Sequence, residues 1–213
     1  MSEPKAYKAN DYGISSDLPP SFKTVILSWF KIINEYQEHC DFDCTYLYNE
    51  LANVGAFNAA LAREKITCIQ EYNHINGIVT EKREGKTDLS FYYLNQWYLV
   101  EAKYKLAKDI TKWKQDLNEE LISACNDAEE SWQGQSLPDI RAAMGLTFIV
   151  PVIPKKLYKQ YDYIKEIIDE LIKDKNNYTF WAYHVSEKFR DNHLNDGNYY
   201  PIVIMVSKAV KNR

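Results

Sequence analysis

The sequence predicts an α/β fold in which a mixed β-sheet is flanked by helices. Two stretches in the first third of the chain repeat their apolar residues at three- and four-residue steps, as amphipathic helices do. From residue 67 to residue 103 apolar and polar residues alternate instead, which is typical of strands with one buried face. The helical spacing then returns and is followed by a short apolar run. Helices before, between and after strands pack in layers around one sheet.

The size of the chain indicates one domain. The 213 residues, of which 46% are hydrophobic and 26% charged, are enough to bury one substantial core. We expect this domain to span residues 21–213. Residues 1–20 are polar, contain Pro19-Pro20 and show no periodicity, so we expect them to form a flexible N-terminal arm.

The charge of the chain limits the classes of partner. With 26 basic and 30 acidic residues the net charge is −4, so there is no overall cationic field and any nucleic-acid site must be a local patch. No apolar run approaches the ~18 residues needed to span a bilayer. The first residues also lack the apolar core of a signal peptide. We therefore expect no membrane partner and a cytoplasmic location.

The first two predicted elements are helices, at residues 21–39 and 44–66. The apolar positions of the first helix are Val25, Ile26, Trp29, Phe30, Ile32, Ile33 and Tyr36. The second helix has a face rich in small side chains, which lets a sheet approach closely. Glu50 lies at the edge of that face.

Strands and further helices complete the prediction. The alternating region places strands at residues 67–74, 77–80, 87–94 and 97–103, with turns at Gly85-Lys86 and Asn95-Gln96. After Lys103 a helix runs to about Trp132, and the segment 134–138 ends it. The remaining elements are a buried strand at 142–152, a helix at 155–173, and strands near 178–185 and 201–207.

The hairpin register brings four polar side chains to one face. If Asn95 and Gln96 form the turn, Asp88 faces Lys103 and Ser90 faces Glu101. Because side chains alternate along a strand, these four share one face. The opposite face then carries the apolar side chains of Leu89, Phe91, Val100 and Ala102. Two carboxylates and an amine are thereby gathered within roughly 5–8 Å.

This cluster predicts a divalent metal ion. Two adjacent carboxylates repel each other unless a cation joins them, and a sparse set of hard oxygen ligands favours Mg²⁺ or Mn²⁺. Such an ion can activate a phosphodiester and the water that attacks it. Lys103 can orient that water or neutralise the charge that develops on the phosphorus.

These residues resemble a known motif. Asp88, a twelve-residue gap and then Glu101-Ala102-Lys103 are similar to the signature of the PD-(D/E)XK nuclease superfamily, although Thr87 replaces the usual proline. The resemblance covers residues 44–132 and implies a restriction-endonuclease-like α-β-β-β-α-β core. It also implies catalytic roles for these residues and a further acidic metal ligand. Glu50 is the first choice for that ligand and Glu71 the second.

A group of basic and aromatic residues follows Lys103. We expect these residues to bind nucleic acid, through phosphate contacts and through stacking of Trp113 or Tyr104 on an unpaired base. The group consists of Lys105, Lys108, Lys112, Trp113 and Lys114. Lys105, Lys108 and Lys112 would share a helical face if the helix begins early.

The function that these features predict is a Mg²⁺-dependent endonuclease acting on DNA. The resemblance suggests a role in bacterial or phage defence or repair. Two alternatives remain open at this stage: a catalytically inactive nuclease-like binding or assembly module, and an acidic protein that blocks a nucleic-acid site. Cleavage of both strands by one active site per chain would usually require a homodimer, although no part of the sequence indicates an interface.

Overall fold

A seven-stranded mixed sheet lies at the centre of the structure, a computed structural model that describes residues 7–40, 43–76, 83–133, 140–158, 162–191, 194 and 196–210. In chain order the strands are β1 (Asn10–Ile14), β2 (Thr67–Asn76), β3 (Arg83–Tyr93), β4 (Gln96–Ala107), β5 (Ile140–Pro151), β6 (Ile153–Pro154), β7 (Phe180–Val185), β8 (Asn198–Tyr199) and β9 (Ile202–Val210). The order across the sheet is β1-β7-β9-β5-β4-β3-β2, while β6 pairs only with β8. Strands β4 and β5 are parallel and the other neighbours are antiparallel. The predicted mixed sheet is confirmed.

The helices lie between these strands in the predicted sequence order. They are α1 (Lys23–His39), α2 (Glu50–Arg63), α3 (Trp113–Gln133), α4 (Lys155–Tyr158), α5 (Tyr163–Lys173) and α6 (Glu187–Asp191). Helix α2 begins later than predicted because Asn49 caps it, accepting a hydrogen bond from the Ala52 amide at 3.0 Å. The helix predicted at 155–173 is divided into α4 and α5, and Asp162 caps the second of these. From α2 to β5 the order of elements is α-β-β-β-α-β.

Helices cover both faces of the sheet. On one face, α1 and α2 pack Trp29 and Phe57 into a core that includes Phe91 and Val100 of the sheet. On the other face, α3 and α5 contribute the apolar side chains of a second core, including Leu117, Leu121, Ile164, Ile167, Ile168 and Leu171. The α/β class is therefore confirmed.

Part of the predicted N-terminal arm is a strand. β1 forms one edge of the sheet and pairs antiparallel with β7, which corrects the expectation of a flexible arm over residues 10–14. Gly13 lies opposite Trp181, and a Cβ at residue 13 would come 2.3 Å from the indole Nε1. A glycine is therefore what lets the Trp181 ring lie close against the edge strand. The strand predicted at 77–80 and the break predicted at 134–138 fall outside the described residues.

The β3–β4 hairpin has a different turn from the predicted one. Tyr93 pairs with Gln96, so the two turn residues are Leu94 and Asn95, with φ angles of 48° and 63°. Positive φ at both positions is the conformation that two-residue hairpins favour, because its twist matches that of the strands. The predicted pairing of Asp88 with Lys103 is therefore wrong by two residues. The alternation of faces is unaffected, so Val100 and Ala102 are buried in the first core as predicted.

Candidate active site

Asp88 lies where strands β3 and β4 separate. The last β3–β4 pair in the described ladder is Leu89 with Val100, and the same register brings Asp88 level with Glu101. Beyond that pair, the Asp88 side chain replaces a backbone carbonyl as the hydrogen-bond acceptor: its Oδ2 accepts a hydrogen bond from the Ala102 amide at 2.8 Å. This contact fixes one carboxylate at the fork between the strands.

The neighbouring strand β2 is also irregular at this level. Its ladder with β3 includes Gln70–Leu89 and Tyr72–Thr87, but the intervening pair of Glu71 with Asp88 is missing. Glu71 has a φ of 49°, in the left-handed region that non-glycine residues seldom occupy. Such conformations cost about 1–3 kcal/mol and cluster at functional sites. Glu71 is exposed and lies on β2 at the same height as Asp88 on β3, although the two form no ladder pair among the described residues.

Glu101 is a buried carboxyl group beside Asp88. Only 5% of it is exposed, and its Oε1 accepts a hydrogen bond of 2.6 Å from the Ser131 hydroxyl on α3. The pKa of Glu101 is raised to about 8, mainly by burial, and also by the charge of Asp88 and a hydrogen bond with it; the Ser131 hydrogen bond acts in the opposite direction. The two carboxyl groups thus compete for one proton or require a cation.

Lys103 is held by helix α3. Its Nζ lies 2.6 Å from Oδ2 of Asp127. Burial acts to lower the pKa of Lys103, but the hydrogen bond and charge of Asp127 outweigh it, so that the pKa is raised. The charges of Glu50 and Asp88 act in the same direction, so Lys103 is a permanent cation among carboxylates.

Glu50 belongs to the same electrostatic group. It occupies the first turn of α2 and is half-buried. Burial raises the pKa of Glu50, and the charge of Asp88 raises it too, whereas the charge of Lys103 acts to lower it. The structure thus brings Glu50 within electrostatic range of the strand residues.

The donor set suits Mg²⁺ without forming a closed cage. In the described parts of the chain, no three His, Cys, Asp or Glu side chains are grouped closely enough to hold a metal ion as they stand. Mg²⁺ usually keeps several water ligands and binds through one or two carboxylates together with substrate phosphate oxygens. Asp88 and Glu101 supply two such carboxylates. Burial is the main cause of the raised pKa of Glu101 and the charge of Asp88 adds to it, so a bound cation would stabilise the ionised form of Glu101.

Two residues of α3 were missed by the sequence analysis. Asp127 and Ser131 are one helical turn apart and contact Lys103 and Glu101, respectively. The buried face of α3 otherwise carries small residues at this level, such as Ala124 and Ala128. The sequence signal that could have identified Asp127 and Ser131 is their spacing of four residues beside the small residues of the same helix.

The predicted basic surface is largely neutralised by ion pairs. The Lys105 Nζ lies 3.0 Å from Asp116 and 3.3 Å from Glu120. The Lys114 Nζ lies 3.0 Å from Glu170 and 2.8 Å from Asp174. Of the four predicted lysines, Lys108 and Lys112 remain exposed, although the Lys112 Nζ lies 3.9 Å from Oδ2 of Asp109.

Two expectations about this segment are wrong. Trp113 is only 7% exposed and packs in the second core, so its ring is not available to stack on a base. The helical face expected from Lys105, Lys108 and Lys112 does not form, because β4 continues to Ala107 and α3 begins only at Trp113. The strand carries Lys105 and the helix begins after Lys112.

Comparison with known proteins gives no match. No family model matches the chain, and neither a curated protein nor a solved structure is significantly similar to it. Within the ranges that the structure describes, every helix is too short or too polar to cross a membrane.

Proposed function

We propose that the protein is a metal-dependent nuclease that hydrolyses DNA phosphodiester bonds. The observation that carries this proposal is the buried Glu101 carboxyl group facing Asp88 at a strand fork, with the cation of Lys103 two residues further along β4. The element order α-β-β-β-α-β and the resemblance of Asp88 and Glu101-Ala102-Lys103 to the PD-(D/E)XK motif support it.

Each residue of the site has a distinct role in this proposal. Asp88 and Glu101 would hold Mg²⁺ or Mn²⁺, with Glu50 or Glu71 as a further acidic ligand. When bound, the ion supplies Lewis-acid activation of the phosphodiester. Lys103 would orient the attacking water and neutralise charge on the phosphorus. Asp127 and Ser131 act through Lys103 and Glu101 as positioning residues, because Asp127 forms an ion pair with Lys103 and Ser131 donates a hydrogen bond to Glu101.

A cleavage assay tests the activity directly. We expect the wild-type protein to cut DNA in Mg²⁺ or Mn²⁺ and to be inactive in EDTA, and we would offer plasmid, linear duplex and single-stranded substrates. An inactive binding module would bind at least one substrate without cutting it. An acidic blocking protein would neither bind nor cut, and either result would overturn the proposal.

The metal site can be tested without knowledge of the substrate. Asp88→Asn removes a metal ligand and a repelling charge, yet its amide oxygen can still accept the hydrogen bond from Ala102. We expect the metal-free variant to melt no lower than wild type. In wild type, metal at ~100 times its dissociation constant should add about 2.7 kcal/mol and raise the melting temperature by roughly 5–10 °C.

Differential scanning fluorimetry with and without metal measures both effects. The variant should lose most of the metal-dependent increase. Glu119→Gln, which removes an exposed carboxylate of α3, is the control and should respond to metal like wild type. Equal metal responses in Asp88→Asn and wild type would mean that Asp88 is not a ligand.

The exposed lysines give a prediction about DNA binding. If Lys108 and Lys112 contact phosphates, replacing both by Gln should reduce the slope of log affinity against log salt concentration by about 2. The control is the double variant Lys165→Gln/Lys173→Gln, which also removes two positive charges. These two lysines pair with carboxylates on their own helix, so their loss should leave the slope unchanged. Salt titrations by fluorescence anisotropy would reveal the difference, and equal slopes in both double variants would assign no phosphate contact to Lys108 and Lys112.

A further inference from the structure

A partly exposed aromatic surface lies on the same sheet face as Asp88 and Glu101 in the described part of the chain. Tyr92 is 38% exposed and Ile69 is 47% exposed, although both belong to strands of the central sheet. Both point away from the first core, because their strand neighbours Phe91 and Cys68 pack into it. Helix α3 covers this face over β4, where Leu99 is 1% exposed against Ala128, but it leaves these outer positions of β2 and β3 open.

Two rings form the centre of this surface. Tyr92 pairs across the hairpin with Trp97, and their ring centroids lie 5.2 Å apart at an interplanar angle of 52°. Trp97 is partly exposed. Aromatic rings at a sheet surface are the usual platforms on which unpaired bases stack, and they accept any base because every base has a π face.

The surface is aligned with the proposed site. Asp88 and Tyr92 are four residues apart on β3, and Glu101 and Trp97 are four residues apart on β4. At about 3.4 Å per residue along a strand, the pair Asp88 and Glu101 is separated from the pair Tyr92 and Trp97 by ~13 Å. That distance corresponds to about four nucleotides of a stacked strand.

The charges around the site favour bases over phosphates as the main contact. Lys103 and Lys105, the cations of β4, are both committed to carboxylates of α3. A duplex hides its bases and depends on cations along both backbones. An unpaired strand exposes its bases to the rings.

We propose that Tyr92 and Trp97 bind the bases of an unpaired nucleic-acid segment a few nucleotides from the bond that is cut. The substrate is then single-stranded DNA, or a duplex end that has opened. This inference rests on the proposed nuclease function, because it takes the scissile phosphate to lie at Asp88 and Glu101.

The test measures binding in EDTA, where no cleavage occurs. A fluorescently labelled thymidine 20-mer and a blunt duplex of equal length are titrated with the full-length protein. We expect Tyr92→Ala to weaken binding of the single strand by roughly tenfold or more and Tyr92→Phe, which keeps the ring, to bind like wild type. Ile122→Ala, which removes a 61% exposed side chain from the outer face of α3, is the control. Melting curves establish that each variant is folded.

The outcomes separate this inference from the proposed function. The inference is overturned if Tyr92→Ala binds the single strand as tightly as the wild type does. It is also overturned if the wild-type protein binds the duplex more tightly than the single strand, or if it binds neither. Cleavage in Mg²⁺ together with any of these results leaves the nuclease function standing. Ring-dependent binding without cleavage in Mg²⁺ or Mn²⁺ overturns the nuclease function and keeps the base-binding surface.

Discussion

Replacing Glu101 by Gln should raise the melting temperature of the metal-free protein at pH 8 by roughly 5 °C or more. Burial is the main cause of the rise in the Glu101 pKa from 4.5 to about 8. Each pKa unit corresponds to about 1.4 kcal/mol, so ionised Glu101 destabilises the fold by a few kcal/mol. Gln at this position can still accept from Ser131 and can donate to Asp88, as the protonated acid does.

The sign of the pH dependence follows from the raised pKa. Below about pH 4.5 Glu101 is protonated in both folded and unfolded chains, and its favourable contribution is complete. As the pH rises from 4.5 to about 8, the unfolded chain loses this proton first and the stability falls. The difference between Glu101→Gln and wild type should therefore be small at pH 4.5 and largest at pH 8.

Thermal melts in EDTA at several pH values measure this difference. Glu119→Gln provides the control, because it removes an exposed carboxylate from α3 and should shift the melting temperature little at any pH. The same gain for Glu101→Gln at pH 5 and at pH 8 would contradict the raised pKa. The stabilised variant should also be inactive as a nuclease, because it lacks a metal-binding carboxylate.

The second large effect concerns Lys103. Changing it to Ala should reduce DNA cleavage by about 100-fold or more, since removal of one group that stabilises transition-state charge commonly costs about that much. The fold should survive, because the ion pair with Asp127 is partly exposed, with 26% and 44% of the two side chains accessible, and such pairs contribute about 1 kcal/mol or less.

A nicking assay and circular dichroism together decide this prediction. Lys165→Ala, which removes a lysine paired within α5, is the matched control and should retain wild-type cleavage. Full turnover by a well-folded Lys103→Ala variant would remove Lys103 from the mechanism. Loss of both folding and activity would instead give it a structural role.

Periodicity predicted the sheet and most helices because burial on one face produces a pattern that is local in sequence. The faces of β3 and β4 were also predictable, since a shift of the hairpin by two residues leaves them unchanged. The pairing itself was not, because Leu94 adopts a positive φ that a leucine seldom takes. The edge strand β1 was missed because its five residues are only partly buried and show no apolar alternation.

Tertiary contacts account for the remaining differences at the site. The ion pairs of Lys105 and Lys114 join residues from separate elements, and Lys114 reaches α5, which is far away in sequence. Trp113 begins a helix whose apolar face turns inward, so a residue that was expected to stack on a base becomes part of the core. The contacts of Ser131 and Asp127 depend on how α3 lies across β4.

The contiguity of the site in the chain has a consequence for folding kinetics. Asp88, Glu101, Lys103, Asp127 and Ser131 all lie on one continuous segment formed by β3, β4 and α3. Contacts between residues close in sequence form early, because little chain entropy is lost in closing the loops between them. The edge strand β1 joins the sheet through β7, nearly the whole chain away, and its pairing requires the largest loop closure. We therefore expect the amide of Ala102 to gain protection from hydrogen exchange during refolding before the amides of β1 do.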